Sequence, residues 1–313
     1  MSMRHLLHGA AVVVALWWLP AQPAGQGAAP PAAPVAADWT PPRTSDGQPD
    51  IQGIWTNYDP TPFEVRLPTD GRGVDDGTGP SGDFADSAPQ RNQRRRSMVV
   101  DPPNGRVPVL PWAEAERDLN LTRIRDAWEY QTPWDRCITR GIPGGMFPSG
   151  YGNGYRFVQS PGVVAILYEM IHEPRIIPVD GSPHLPSNIR LWNGDSRGRW
   201  EGNTLVVDIT NYNDKGDIAT NAATGRIRGI AHSQELHVVE RFTLANPDTL
   251  NYEVTITDPK VYSAPWKVVI PLTRDDDYQM FEYACHEGNH AMPNTLSAGR
   301  TIDKAAGAGS KKQ

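Results

Sequence analysis

The chain has two cysteines in 313 residues, Cys137 and Cys285, and no Cys-x-x-Cys or His-x-His. That excludes a disulfide-dense mini-scaffold and thiolate zinc or redox motifs. No Gly-rich stretch is followed by Lys-Ser/Thr, so a phosphate-cradling loop is missing too. After residue 19 no apolar run is long enough to cross a bilayer, which takes about 20 residues. The net charge of −6 leaves no excess of either sign that would point to nucleic acid or an anionic membrane. No internal repeat and no alternation of strand and helix patterns is present.

Proline and glycine are abundant, at 30 and 29 residues, which implies many turns and some unstructured chain. Ten tryptophans favour a body with large aromatic plugs or a stacking surface. At the N-terminus, Arg4, His5 and His8 precede the apolar stretch Ala10–Leu19, and small residues follow. This is the order of a secretory signal, expected over residues 1–25, with an uncleaved anchor as the alternative. The mature protein is then periplasmic or extracellular, with no membrane span. In an oxidising compartment the two cysteines are expected to form a disulfide, Cys137–Cys285. The alternative is a reactive thiol at Cys285.

Residues 26–49 read as a disordered Pro/Ala-rich tether. A single β-rich domain is expected over 50–300, beginning at Ile51-Gln52-Gly53-Ile54-Trp55. Within it, 58–97 is a loop insertion that ends in the basic run Arg94-Arg95-Arg96, read as a solvated loop. Residues 111–130 are the main helix, with Pro111 at its first position and Pro133 beyond its end. The stretch 140–154 is an irregular Gly-rich loop near the barrel mouth. From Tyr155 onward, short alternating segments are separated by turn residues: 155–159, 163–170, 175–177, 189–192, 199–208, 236–242, 250–257, 266–272 and 278–284. Asp195-Ser196 is read as a turn. Residues 301–313 form a disordered tail. The pattern is mainly β, an antiparallel barrel with one long helix and an irregular insertion; a β-sandwich is the alternative.

Four segments carry a resemblance. They are Asp46-Gly47-Gln48-Pro49-Asp50-Ile51-Gln52-Gly53-Ile54-Trp55, Gly198-Arg199-Trp200-Glu201-Gly202-Asn203-Thr204-Leu205-Val206-Val207-Asp208, Glu240-Arg241-Phe242 and Glu282-Tyr283-Ala284-Cys285-His286-Glu287-Gly288-Asn289. Together they resemble a large group of uncharacterised exported bacterial proteins, over about residues 41–300, and imply no activity. Gly53-Ile54-Trp55 followed by a strand meander also resembles the lipocalin-like, or calycin, barrels. In those, a Gly-x-Trp on the first strand plugs the closed end.

Six histidines lie beyond the leader: His172, His184, His232, His237, His286 and His290. His286 and His290 are four apart, as ligands on one helix face would be, but Gly288 and Asn289 between them argue for a turn. No residue is assigned to a metal, and no cofactor is expected. His with carboxylates is the usual equipment for acid–base work near neutral pH. His286, His172, Glu169 and Glu287 are therefore the catalytic candidates. Glu240 or Arg241 is expected to form an internal ion pair that closes the barrel. Tyr151, Tyr155, Trp192 and Trp200 are the candidates to line a pocket for a small-molecule ligand. The expected function is an exported enzyme that acts by acid–base chemistry on a small organic molecule in a barrel pocket: hydrolysis, elimination, isomerisation or cyclisation. The alternatives are a non-catalytic lipocalin-like binding protein and a metal-binding envelope protein.

Overall fold

The computed structural model describes residues 33–35, 39–57, 59, 61–65, 67, 95–149, 151–171, 173–218 and 227–310. The expected signal, His172, Arg94 and most of the 58–97 insertion lie outside them. In chain order the elements are β1 (Gly53–Thr56), β2 (Val99–Asp101), α1 (Pro111–Thr122), β3 (Gly154–Ser160), β4 (Val163–Tyr168), β5 (Pro174–Pro178), β6 (Asp195–Glu201), β7 (Thr204–Thr210), β8 (Asp217–Ile218), β9 (Ile230–Ala231), β10 (His237–Asn246), β11 (Thr249–Thr257), β12 (Trp266–Arg274) and α2 (Ala291–Ser310).

Nine strands form one antiparallel path, β5-β4-β3-β1-β12-β11-β10-β7-β6, and β2 joins β12 beside β1. The path curls into a nearly closed barrel. Its two end strands meet through side chains: a Cβ on Gly198 of β6 would stand 2.9 Å from Ile177 Cγ2 of β5. One continuous sheet curled in this way is a barrel, not two sheets packed face to face. The strands form because apolar residues alternate. On β11, Leu250, Tyr252, Val254 and Ile256 are buried, as are Val238, Glu240, Phe242 and Leu244 on β10. The β6–β7 hairpin turns on Gly202-Asn203, with Gly202 at φ +60°, the positive φ that two-residue hairpin turns need.

The Gly53-Ile54-Trp55 segment has a local physical reason. Trp55 is fully buried, its indole N–H donates to Ile51 O at 3.0 Å, and the Arg274 guanidinium lies 4.5 Å over its ring. Gly53 has φ +122°, and a Cβ there would come within 2.5 Å of Arg274 Nη1. Only glycine lets the arginine reach the indole. Where β12 begins, Phe63, Phe147, Tyr262 and Trp266 pack together, with the Phe63 and Phe147 centroids 4.8 Å apart.

Several segments depart from expectation. Helix α1 stops at Thr122, and a short 3-10 turn at Trp128–Tyr130 follows. β-branched Thr122 and Ile124 weaken helix propensity there, and α1 buries only Ala113, so packing does not extend it. Residues 278–284 form no strand. β12 already has β11 on one side and β1 and β2 on the other, so the chain after it cannot fold back to pair beside it. Residues 189–192 make a single parallel bridge, Leu191 to Tyr212. Asp195 and Ser196 begin β6 instead of forming a turn. In place of a tail from 301, the chain remains helical to Ser310. Residues 43 and 49 pair as a bridge, so the end of the expected tether is ordered. Among the described residues, no helix is long and apolar enough to cross a membrane.

The two cysteines are joined, Cys137 to Cys285, 148 residues apart in sequence. The bond holds the segment after β12 against the loop that precedes the Gly-rich stretch.

Candidate functional site

The β4–β5 turn, the Gly-rich loop and the turn before β6 surround a small open cleft of about 20 Å³. Its walls include Thr139, Arg140, Gly145, Tyr168, Glu173 and Arg175. A Cβ on Gly145 would sit 3.3 Å from the Tyr168 ring, so the bare backbone of this loop is what lets it approach the phenol. Ile171, another wall residue, has φ +51°. A β-branched residue in the left-handed region is strained, and such strain gathers at functional sites.

Glu173 is exposed at the rim. Asn193 Nδ2 donates to its Oε2 at 2.6 Å, and Thr139 Oγ1 donates to Asn193 Oδ1 at 3.0 Å. This relay fixes the carboxylate's position. Deeper in, Arg175 is buried. Its Nη2 stands 2.6 Å from Glu240 Oε2, its Nε donates to Ser196 Oγ at 3.1 Å, and its Nη1 donates to Tyr168 Oη at 3.4 Å. Tyr252 Oη donates to Glu240 Oε1 at 2.8 Å. Burial alone would disfavour the arginine's charge, but Glu240 and Tyr168 outweigh it and hold its pKa above the ordinary value. Burial pushes the Tyr168 phenol up to about 12, against the pull of Arg175. Burial lowers Arg140 to about 10, opposed by Tyr155, while its guanidinium stacks on Trp134 at 4.4 Å. At neutral pH the cleft therefore presents a protonated phenol and two cations.

The outer wall of the same strands carries a second polar chain. His184 Nδ1 is 2.8 Å from Asp195 Oδ2, and His184 Nε2 is 2.9 Å from Asp208 Oδ1. His237 Nε2 is 2.8 Å from Asp208 Oδ2. Strand alternation explains the separation: Asp195 faces out from β6 and its neighbour Ser196 faces in.

Of the expected catalytic residues, His172 lies outside the described residues, and the other three do not assemble. Glu169 is buried, accepting from Tyr278 Oη at 2.6 Å and Gly154 N at 3.1 Å. His286 and Glu287 are exposed in the turn after Cys285, and no contact joins them to Glu169. His286-Glu287-Gly288-Asn289-His290 spells the two-histidine pattern of helical zinc sites, yet it lies before α2 and not on a helix. The four aromatic candidates are dispersed. Tyr151 stacks on Tyr283, Tyr155 is buried against Tyr168, Trp200 packs against the core, and Trp192 is half-buried in the turn before β6. Glu240 does form an internal ion pair, whose partner is Arg175; Arg241 points outward to Glu201 at 3.0 Å.

Sequence reasoning passed over Glu173, Tyr168, Arg175, His184 and His237. A charged residue at inward parity in Arg175-Ile176-Ile177 was the available signal. Gly194-Asp195-Ser196-Arg197-Gly198 also matches the spelling of a serine nucleophile elbow. Ser196, however, lies within strand β6 and not on a strand-to-helix turn, and it accepts from Arg175. No family model, no curated protein and no solved structure matches the chain.

Proposed function

We propose that this chain is an exported enzyme that acts by acid–base chemistry on a small organic molecule held in the cleft at the end of the barrel. One observation carries this reading: a carboxylate, Glu173, a phenol, Tyr168, and a guanidinium, Arg175, line the same opening. Glu173 takes a proton from the substrate. The Tyr168 hydroxyl, backed by Arg175, donates a hydrogen bond to the substrate oxygen on which negative charge develops. The proton on Glu173 then returns at another position, completing an isomerisation, or leaves with a departing group, completing an elimination. The interior of the cleft, about 20 Å³, has room for about one water-sized group, so the reacting end of the substrate enters it while the rest lies over the open mouth beside Glu173. The disulfide supports export, because such bonds persist in oxidising compartments.

A panel of small hydroxy, keto and carboxylate compounds incubated with the full chain and followed by NMR tests this. Turnover of one of them, reduced about 10²- to 10⁴-fold in Glu173→Gln, is the expected result. Equal turnover by Glu173→Gln and Tyr168→Phe would remove both residues from the reaction.

A second, open hollow of about 550 Å³ is lined by Trp39, Pro42, Leu244, Pro247 and Arg274 among others. Its breadth and apolar wall favour an alternative reading, non-catalytic binding of an apolar molecule. Ligand that binds the protein unchanged, and is displaced by Trp39→Ala, would support that reading instead.

A further inference from the structure

The hollow bordered by Arg274 has a stacked pair in its wall. Trp55 is fully buried, and the Arg274 guanidinium lies 4.5 Å over its ring. Two bonds hold that guanidinium in place: Nε donates to Pro247 O at 3.0 Å, and Nη1 stands 3.4 Å from Asp276 Oδ1. Gly53 leaves it room, since a Cβ there would come within 2.5 Å of Nη1. Trp39, from the segment before β1, packs half-buried against the core and supplies the aromatic part of the same wall. Two carboxylates, Asp50 and Asp248, also line it.

We infer that this hollow binds a neutral, planar aromatic molecule with N–H groups, of the indole or aminated-ring type, stacked on Arg274 and Trp39. The inference rests on the second reading, that the hollow takes a ligand, and is independent of the chemistry in the cleft.

Size, shape and charge carry it. A volume of about 550 Å³ falls among small-molecule sites, which span about 300–1,000 Å³. A guanidinium is planar and delocalised and stacks on aromatic faces. Arg274 already does so with Trp55, and a ring on its side toward the hollow extends the stack. Because Trp55 is buried and the guanidinium is fixed by its bonds, little side-chain freedom is lost when that ring arrives.

Charge selects among planar molecules. Asp50, Asp248 and Asp276 stand against the one cation, Arg274, so an anionic ring meets an excess of its own sign. A cationic ring would set like charge on the stacking face of Arg274. Carboxylates only accept hydrogen bonds, and a ring with N–H groups satisfies them. Asp50 Oδ1 already accepts from Gln52 N at 3.1 Å and Gln52 Nε2 at 3.2 Å, which leaves Oδ2 for a ligand. Asp248 is exposed.

Calorimetric titration of the full chain with indole tests the inference, with benzofuran and indole-3-carboxylate as controls. Benzofuran keeps the shape without the N–H, and the carboxylate keeps the ring but adds negative charge. One indole per chain is expected, with both controls at least about tenfold weaker. Trp39→Ala should weaken indole about 5- to 100-fold, the measure of a lost aromatic stack. Arg274→Lys keeps the charge but not the plane and should weaken it about 2- to 10-fold. Asp50→Asn/Asp248→Asn should lose the discrimination against indole-3-carboxylate. Glu173→Gln, in the cleft, should bind indole as the original chain does. No indole binding, binding unchanged in both Trp39→Ala and Arg274→Lys, or binding lost in Glu173→Gln would each overturn the site. Benzofuran or indole-3-carboxylate bound as tightly as indole would overturn the ligand class alone and leave the hollow as a binding site.

Discussion

Arg175 and Glu240 meet at 2.6 Å inside the barrel, joining β5, the first strand of the sheet path, to β10 near its other end. With the Arg175–Ser196 bond to β6, the pair spans the seam that backbone hydrogen bonds leave open. Both side chains are almost wholly buried. Removing one partner strands a charge, which costs about 3–5 kcal/mol, whereas replacing both with apolar residues of similar volume is often neutral. Arg175→Met and Glu240→Leu should each lower the denaturation midpoint by that measure. The double variant should regain most of the loss in the same urea titration.

Gly145 sets the width of the cleft. A methyl group there would press on the Tyr168 ring at 3.3 Å, while φ at this position does not demand glycine. Gly145→Ala should therefore leave thermal stability within about 1 kcal/mol of the original. It should weaken capture of whatever the cleft takes, as a raised KM or Kd. Unchanged affinity would place the ligand elsewhere.

The disulfide closes a loop of 148 residues. In the chain-entropy description such a link contributes up to about 5 kcal/mol. Its local effect should be equally measurable. The segment after β12 is otherwise held by Tyr278 on Glu169, Tyr283 on Tyr151, and Asn289 on Asp135 O at 3.0 Å. Cys137→Ser/Cys285→Ser should raise hydrogen exchange across residues 278–290 first, with the strands of the barrel following only near global unfolding.

Asp217 gives a pH dependence of definite sign. Burial, reinforced by Asp135 and opposed by Arg136 and Arg140, pushes its carboxyl up to about 7. The folded state then holds a proton that the unfolded chain has released, so this group's contribution to stability declines as pH rises from about 4 to about 7. Asp217→Asn should flatten that part of the profile. His232, lowered chiefly by burial, acts in the opposite sense, losing stability as pH falls below its ordinary value near 6.5. Unfolding free energies of Asp217→Asn and His232→Gln between pH 4 and 8 would separate the two.

Alternation of apolar residues, with turn residues between, was enough to place most of the strands from β3 to β12, because backbone geometry sends successive side chains to opposite faces. Cysteine count and the signal-like order of the first 25 residues were enough to expect the pair Cys137–Cys285. An internal charge at Glu240 or Arg241 was legible because adjacent strand residues face opposite ways, and the structure turns Glu240 inward. Its partner was not: Arg175 lies 65 positions away on a strand that meets β10 only when the sheet curls. Likewise His286 and Glu287 share a short motif but sit on an exposed turn, since both sides of β12 are already paired and the chain after it cannot turn back beside it. Glu173, Tyr168, His184 and Asp208 acquired their neighbours through barrel closure and loop packing. Local sequence determines which face a residue takes along its own strand. Only the closed tertiary arrangement decides which distant side chain it will face.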